Sequence, residues 1–227
     1  MKVLVSDFDK TLFVEDKDIL KENIKAINKF ISNGNSFIIE TGRIYTDIIL
    51  LLNEYNIKYN YLVCQDGAKI FNNLGFSIND NLIPSKVVKE VIEVLNKFDL
   101  DYKLDDGYND TDNINDCIKI KSILIDGIDY DKVLDELKNL DVYAYLSVHY
   151  LNITSSKTNK EKSLEYLIKV EEYNTNNIYV IGDEINDYEM LQKYNGGVIK
   201  NHNKKLDELN LKEYNNLKEY IDDIEKK

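Results

Sequence analysis

Val3-Leu4-Val5-Ser6-Asp7-Phe8-Asp9-Lys10-Thr11 opens with a short apolar run that stops at a carboxylate, and the reading of this stretch decides the fold. An unbroken apolar run, as opposed to an alternating one, reads as a strand buried on both faces. The polar cluster Asp7, Asp9, Thr11 would then lie just past the strand's carboxyl end. Working outward, residues 19–31 carry Ile24, Ile27, Phe30 and Ile31 at helical spacing, with Gly34 as a C-cap. A second apolar run, 37–40, ends at Thr41-Gly42-Arg43, and an amphipathic helix is expected over 45–54. A third run covers 61–64, before the turn Gln65-Asp66-Gly67 and a hairpin over 69–71 and 76–78. Much later, the apolar run 178–181 ends at Gly182-Asp183-Glu184-Ile185-Asn186-Asp187.

Between these parts the pattern changes. From Leu82-Ile83-Pro84-Ser85 a helix is expected to about residue 98, with Pro84 in its first turn. A strand follows near 102–104, then a polar stretch over 105–116, a strand over 119–125, a helix over 130–140, and strands over 142–148 and 151–154. That αββαββ order predicts an antiparallel sheet with helices on one face. From about residue 160 the helix–strand alternation resumes, with a short strand at 198–199 and charged helices closing the chain. The expected organisation is an α/β domain over 1–81 and 155–227, interrupted by an α+β insert over 82–154.

The chain has 227 residues, 43% of them hydrophobic, and a formal net charge of −12. That charge argues against nucleic-acid or anionic-membrane partners, and a phosphorylated substrate would need a local positive device such as a metal or a placed lysine. The start of the chain has no long apolar run. Cys64 and Cys117 lie on apolar stretches and read as reduced core thiols, so a cytoplasmic location is expected. Asn and Lys are abundant, whereas Arg43 is the sole arginine.

Each motif alone has a plain structural explanation as a capped turn after a strand. By composition D-x-D-x-T should arise by chance about 0.1 times in such a chain, and Gly-Asp-x-x-Asn-Asp about 0.01 times. Three polar clusters at three strand ends are another matter, because ligands of open α/β sheets bind just outside the carboxyl ends of the strands. Chemically, a carboxylate can attack phosphorus while a nearby acid protonates the leaving oxygen, and an all-oxygen acidic cluster suits Mg²⁺.

Taken together, the motifs resemble those of the haloacid dehalogenase-like superfamily, over essentially the whole chain. Thr-Gly-Arg and Gly-Asp-x-x-Asn-Asp-x-x-Met-Leu are similar to its Cof-type branch. The resemblance implies a Rossmann-like parallel-sheet core with an inserted cap that sets substrate specificity. It implies a Mg²⁺-dependent phosphatase acting on a small phosphorylated metabolite, a sugar or organic-acid phosphate, through an aspartyl-phosphate. Asp7 would be the nucleophile and Asp9 the acid and base; Thr41 and a lysine would contact the phosphoryl group. Lys157, Lys160 and Lys162 compete for that place, and the family spacing of four residues before a helix Leu picks Lys160 ahead of Leu164. Thr11, Gly42, Arg43 and Asn186 would bind phosphate or substrate. Asp7, Asp183, Asp187 and the Asp9 carbonyl would hold the metal. Asp66-Gly67-Ala68 resembles the family's Asn-Gly-Ala turn, with Asp in place of Asn. A phosphomutase with the same Asp pair is the alternative, and a phospho-accepting signalling module is a more distant one.

Overall fold

The computed structural model describes residues 1–226. Strand β1 (Val3–Asp7) is wholly buried and pairs in parallel with β2 (Ser36–Glu40) on one side and β11 (Ile178–Gly182) on the other. This two-sided burial is what the unbroken apolar run encodes. Leu4 joins one core with Phe30, Phe37, Ile39 and Ile181, under helices α1 (Lys17–Ser32), α2 (Tyr45–Glu54) and α7 (Leu217–Glu225). Its neighbours Val3 and Val5 point the other way, into a second core with Ile38, Val63, Leu164 and Leu191, under α5 (Lys160–Val170) and α6 (Tyr188–Lys193). Alternation of side chains along a strand thus divides the sheet's two faces between two helix layers. Asp16 caps α1, its carboxylate accepting from the Asp18 and Ile19 amides at 2.9 and 3.1 Å.

The remaining strands of this sheet are β3 (Tyr61–Cys64), β4 (Lys69–Asn72), β5 (Ser77–Asp80), β12 (Asn195–Ile199) and β13 (Lys212–Tyr214). Their order is β13-β12-β11-β1-β2-β3-β4-β5, with β4 and β5 antiparallel at the edge. Successive strands run outward from β1 in one direction through β2 and β3, and later ones in the opposite direction through β11 and β12. The switch point therefore lies at β1, and the carboxyl ends of β1, β2 and β11 meet there.

The second sheet has the order β7-β6-β8-β10-β9, every pairing antiparallel. Its strands are β6 (Lys103–Asp105), β7 (Asp110–Thr111), β8 (Lys119–Ile123), β9 (Val142–Leu146) and β10 (Tyr150–Ser155). Helices α3 (Ser85–Lys97) and α4 (Tyr130–Leu137) pack Val88, Val91, Leu95, Val133 and Leu137 against Ile120, Leu151 and Ile153 on one face. This is the inserted α+β cap on a Rossmann-like core.

Several elements differ from the sequence reading. The polar stretch 105–116 contains β7, so the cap sheet has five strands where four were expected. β13 lies where charged helices were expected, its three residues offering no apolar run. α4 stops at Leu137, and Pro84 is the N-cap of α3, not part of its first turn. Both cysteines are free and buried, as their apolar settings suggested. Among the described residues no helix is long and apolar enough to cross a membrane.

Candidate active site

The motif carboxylates meet at the switch point. Asp7 ends β1, Asp183 follows β11, and Asp187 closes the loop beyond it. One oxygen from each lies within 4.8 Å of the others. Gly182 makes the loop possible: a Cβ there would come within 2.3 Å of the Asp187 carboxylate, which folds back over the strand end. Asp187 Oδ2 in turn accepts from the Asp183 and Glu184 amides, both at 3.0 Å. Thr11 donates its hydroxyl to Asp183 Oδ1 at 2.8 Å, which commits it to the acidic cluster. Lys10, at φ +62°, reaches Glu184 at 3.2 Å and ties the first loop to the last.

Lys160 reaches the site; its two competitors do not. Its Nζ lies 2.6 Å from both Asp7 Oδ1 and Asp187 Oδ1, and its side chain is fully buried. Lys162 turns to the Ser156 carbonyl at 2.5 Å. A cation at a helix N-terminus opposes the macrodipole, and the two carboxylates compensate. Burial works against the Lys160 charge, but Asp187 and Asp7 outweigh it and push its pKa well up. Burial also pushes Asp7 well up, reinforced by Asp187 and Asp183 against the pull of Lys160. Asp183 is pushed up to about 6 by burial and then Asp187. With all three ionised, the carboxylates and the one ammonium would carry an excess of two negative charges, and the raised pKa values of Asp7 and Asp183 register that crowding. The all-oxygen donor set and that excess fit a hard divalent cation.

Asp9 stands apart. Its carboxylate is gripped bidentately by Arg43, Nε to Oδ2 at 2.8 Å and an Nη to Oδ1 at 2.7 Å. Its carboxylate thus lies outside the acidic cluster. The Thr41 hydroxyl accepts from the Arg43 amide at 3.2 Å at the end of β2. Asn186 donates to Asp66 Oδ1 at 2.9 Å, a carboxylate the motif reading did not place in the site. Burial opposes ionisation of Asp66, but Lys119 and Lys160 hold it below the usual carboxylate range.

Two further groups escaped the sequence reading. Glu40, the last residue of β2, is fully buried; it accepts from Ser163 Oγ at 3.2 Å and leaves Oε2 without a partner. Burial pushes its pKa up to about 8 against the pull of Lys160. Its only sequence signal is a Glu inside an apolar strand. Lys119 of the cap is also buried, paired with Asp66.

Above the cluster lies a cavity of about 960 Å³. Asp7, Asp9, Gly42, Arg43 and Asn186 form its floor, and Lys119, Lys121, Tyr145, Tyr150 and Asn152 of the cap form its roof. The roof has a regular basis: Lys103, Lys121, Asn152 and Tyr145 are successive register partners across β6, β8, β10 and β9, hence one row on one sheet face.

The haloacid dehalogenase-like hydrolase family model matches residues 4–109 and 97–216, nearly the whole chain. The chain is a haloacid dehalogenase-like hydrolase. A Haemophilus influenzae protein named "Putative phosphatase" is 20% identical over 229 residues, covering 87% of this hydrolase and 84% of the relative. A phosphatase of the same superfamily from Bacteroides thetaiotaomicron superposes with TM-score 0.83 at 19% identity, covering 100% of this chain and 93% of its own. A sugar phosphatase of subclass IIB gives TM-score 0.78 at 16% identity, with 97% and 95% covered. At these identities the structural likeness establishes the fold of the hydrolase, core and cap together.

Proposed function

We propose that this hydrolase is a Mg²⁺-dependent phosphatase of small phosphorylated metabolites, working through an aspartyl-phosphate on Asp7. The observation that carries the reading is the placement of Asp7: at the switch point, opening to the cavity, with Lys160 on Oδ1. That contact leaves Oδ2 as the attacking atom. Oδ2 bonds to phosphorus, the bond from phosphorus to the ester oxygen breaks, and the leaving oxygen takes a proton from Asp9. Water then attacks the aspartyl-phosphate, gives its proton to Asp9, and Asp7 and inorganic phosphate are released. Lys160 and the Thr41 hydroxyl would steady the phosphoryl oxygens. A Mg²⁺ ion held by Asp7, Asp183, Asp187 and the Asp9 carbonyl would supply the charge neutralisation that a doubly negative pocket denies an incoming phosphate. For Asp9 to serve as acid, its carboxylate must leave Arg43, and the substrate phosphate is a competing ligand for that guanidinium.

Residues 82–154 would act as the specificity cap over a core of 1–81 and 155–227. The roof mixes lysines, tyrosines and Asn152, which suits a sugar or organic-acid phosphate. Homology to a protein named as a phosphatase and likeness to a sugar phosphatase support this reading. Hydrolysis of p-nitrophenyl phosphate is expected to vanish in EDTA and return with excess Mg²⁺. Full activity in chelator would refute the metal site.

A further inference from the structure

One side chain of the cap reaches two catalytic loops at once. The Lys119 ammonium pairs with the Asp66 carboxylate and lies 3.5 Å from the Gly42 carbonyl, next to Thr41 and Arg43. The two side chains are only 2% and 1% exposed. Asp66 sits in the left-handed region, φ +56°, on the turn that follows β3. This aims its carboxylate across the site, where Oδ1 accepts from Asn186 at 2.9 Å. Asn186 is also 3.4 Å from the Tyr145 hydroxyl of the cap. Gly42 abuts the same carboxylate, for a Cβ there would stand 3.0 Å from Asp66 Oδ1. So Asp66 touches the second motif loop, the last motif loop and the cap. The direct ion pair comes from the cap, through Lys119, while Lys160 of the core acts on the same carboxylate from further away.

We propose that Lys119 and Asp66 form a buried charge clamp through which the seated cap fixes Asn186, and with it the Asp183 and Asp187 carboxylates; Lys119 is a positioning residue of the core site. A pair this buried is poorly tolerated singly, because removing one partner strands the other charge away from water. The clamp also makes the cap part of the core's geometry instead of a mere lid. Its effect on turnover rests on the phosphatase reading, but its effect on loop order does not.

The test uses Lys119→Met, Asp66→Asn and the double variant, each full length and checked for folding by circular dichroism. Asn at position 66 keeps an acceptor for Asn186 while removing the charge. All three are expected to lose about 10- to 100-fold in kcat on p-nitrophenyl phosphate with KM little moved. Amide exchange of residues 183–187 is expected to accelerate in each. The double variant should recover thermal stability over either single variant, since no charge is left stranded, without recovering kcat. Near-wild-type kcat in folded Lys119→Met, or a loss confined to KM, would overturn the clamp, the latter by making Lys119 a substrate contact. Should the wild-type protein hydrolyse no phosphate ester, the phosphatase reading falls alone. The clamp then stands or falls on the exchange of residues 183–187, and unchanged protection in Lys119→Met would refute it.

Discussion

Asp7 and Asp9 are two residues apart and meet opposite surroundings, one buried against Lys160 and the other held at the cavity by Arg43. Their substitutions should therefore fail differently. Asp7→Ala removes the phosphoryl acceptor, so no phospho-enzyme should form. Asp9→Asn keeps the acceptor and should lose about 10²–10⁴-fold on sugar phosphates, whose alkoxide needs a proton, and less in the first half-reaction with p-nitrophenyl phosphate. Rapid-quench mass spectrometry decides the matter, and phosphate trapped anywhere but Asp7 would reverse the roles. Glu40 ties folding stability to pH. Its folded pKa of about 8 lies above its ordinary 4.5, so between these values the folded state holds a proton that the unfolded chain releases. The stability tied to the neutral Glu40 is complete below the lower value and is lost as pH rises through the upper one. Glu40→Gln should match the wild type in stability near pH 4 and exceed it increasingly toward pH 8. Urea unfolding at both pH values in chelator measures this, and parallel curves would show that Glu40 does not titrate in that range.

The polar stretch 105–116 reads in sequence as a hairpin loop of the cap. Its turn at Gly107 and Tyr108 is a foot on the core. The Tyr108 carbonyl accepts from Thr46 Oγ1 at 2.7 Å, the Gly107 carbonyl accepts from the Tyr45 amide at 3.3 Å, and the Tyr108 ring takes the Lys69 ammonium at 4.4 Å. Within this stretch only Asp110 lines the cavity. Tyr108→Ala is thus expected to cost about 1–3 kcal/mol and to speed proteolysis at the two cap linkers; an unchanged melting temperature would contradict the docking role. Asp7, Asp183 and Asp187 are legible because each follows an apolar run that marks a strand end, whereas Lys160 is singled out from Lys157 and Lys162 only by the spacing of the family it resembles. Lys119 is not legible, being one lysine among many on an alternating strand whose partner is 53 positions away. Asp66 was visible as a turn residue only, because its role depends on a cap that folds against it. β7 and β13, two and three residues long, are made by their neighbours' hydrogen bonds and not by any apolar pattern of their own.

The whole molecule carries a net charge of −12, and its proposed substrates are anions. Long-range repulsion should slow encounter, and salt should relieve it. With Mg²⁺ held saturating, kcat/KM is expected to rise as KCl goes from low to physiological strength; a steep fall would reveal an attractive field at the cavity mouth. The order of strands has a temporal side as well. β1 is flanked by β2, which emerges promptly, and by β11, which begins at Ile178. At ordinary translation speeds the ribosome needs roughly ten to thirty seconds to close that interval. Throughout it, the nascent chain shows one unpaired edge of β1, whose Val3-Leu4-Val5 run is apolar, an open template for pairing with another polypeptide. Asp7 meanwhile has neither its lysine nor its companion carboxylates, so a half-made chain is both chemically inert and the form most in need of a chaperone.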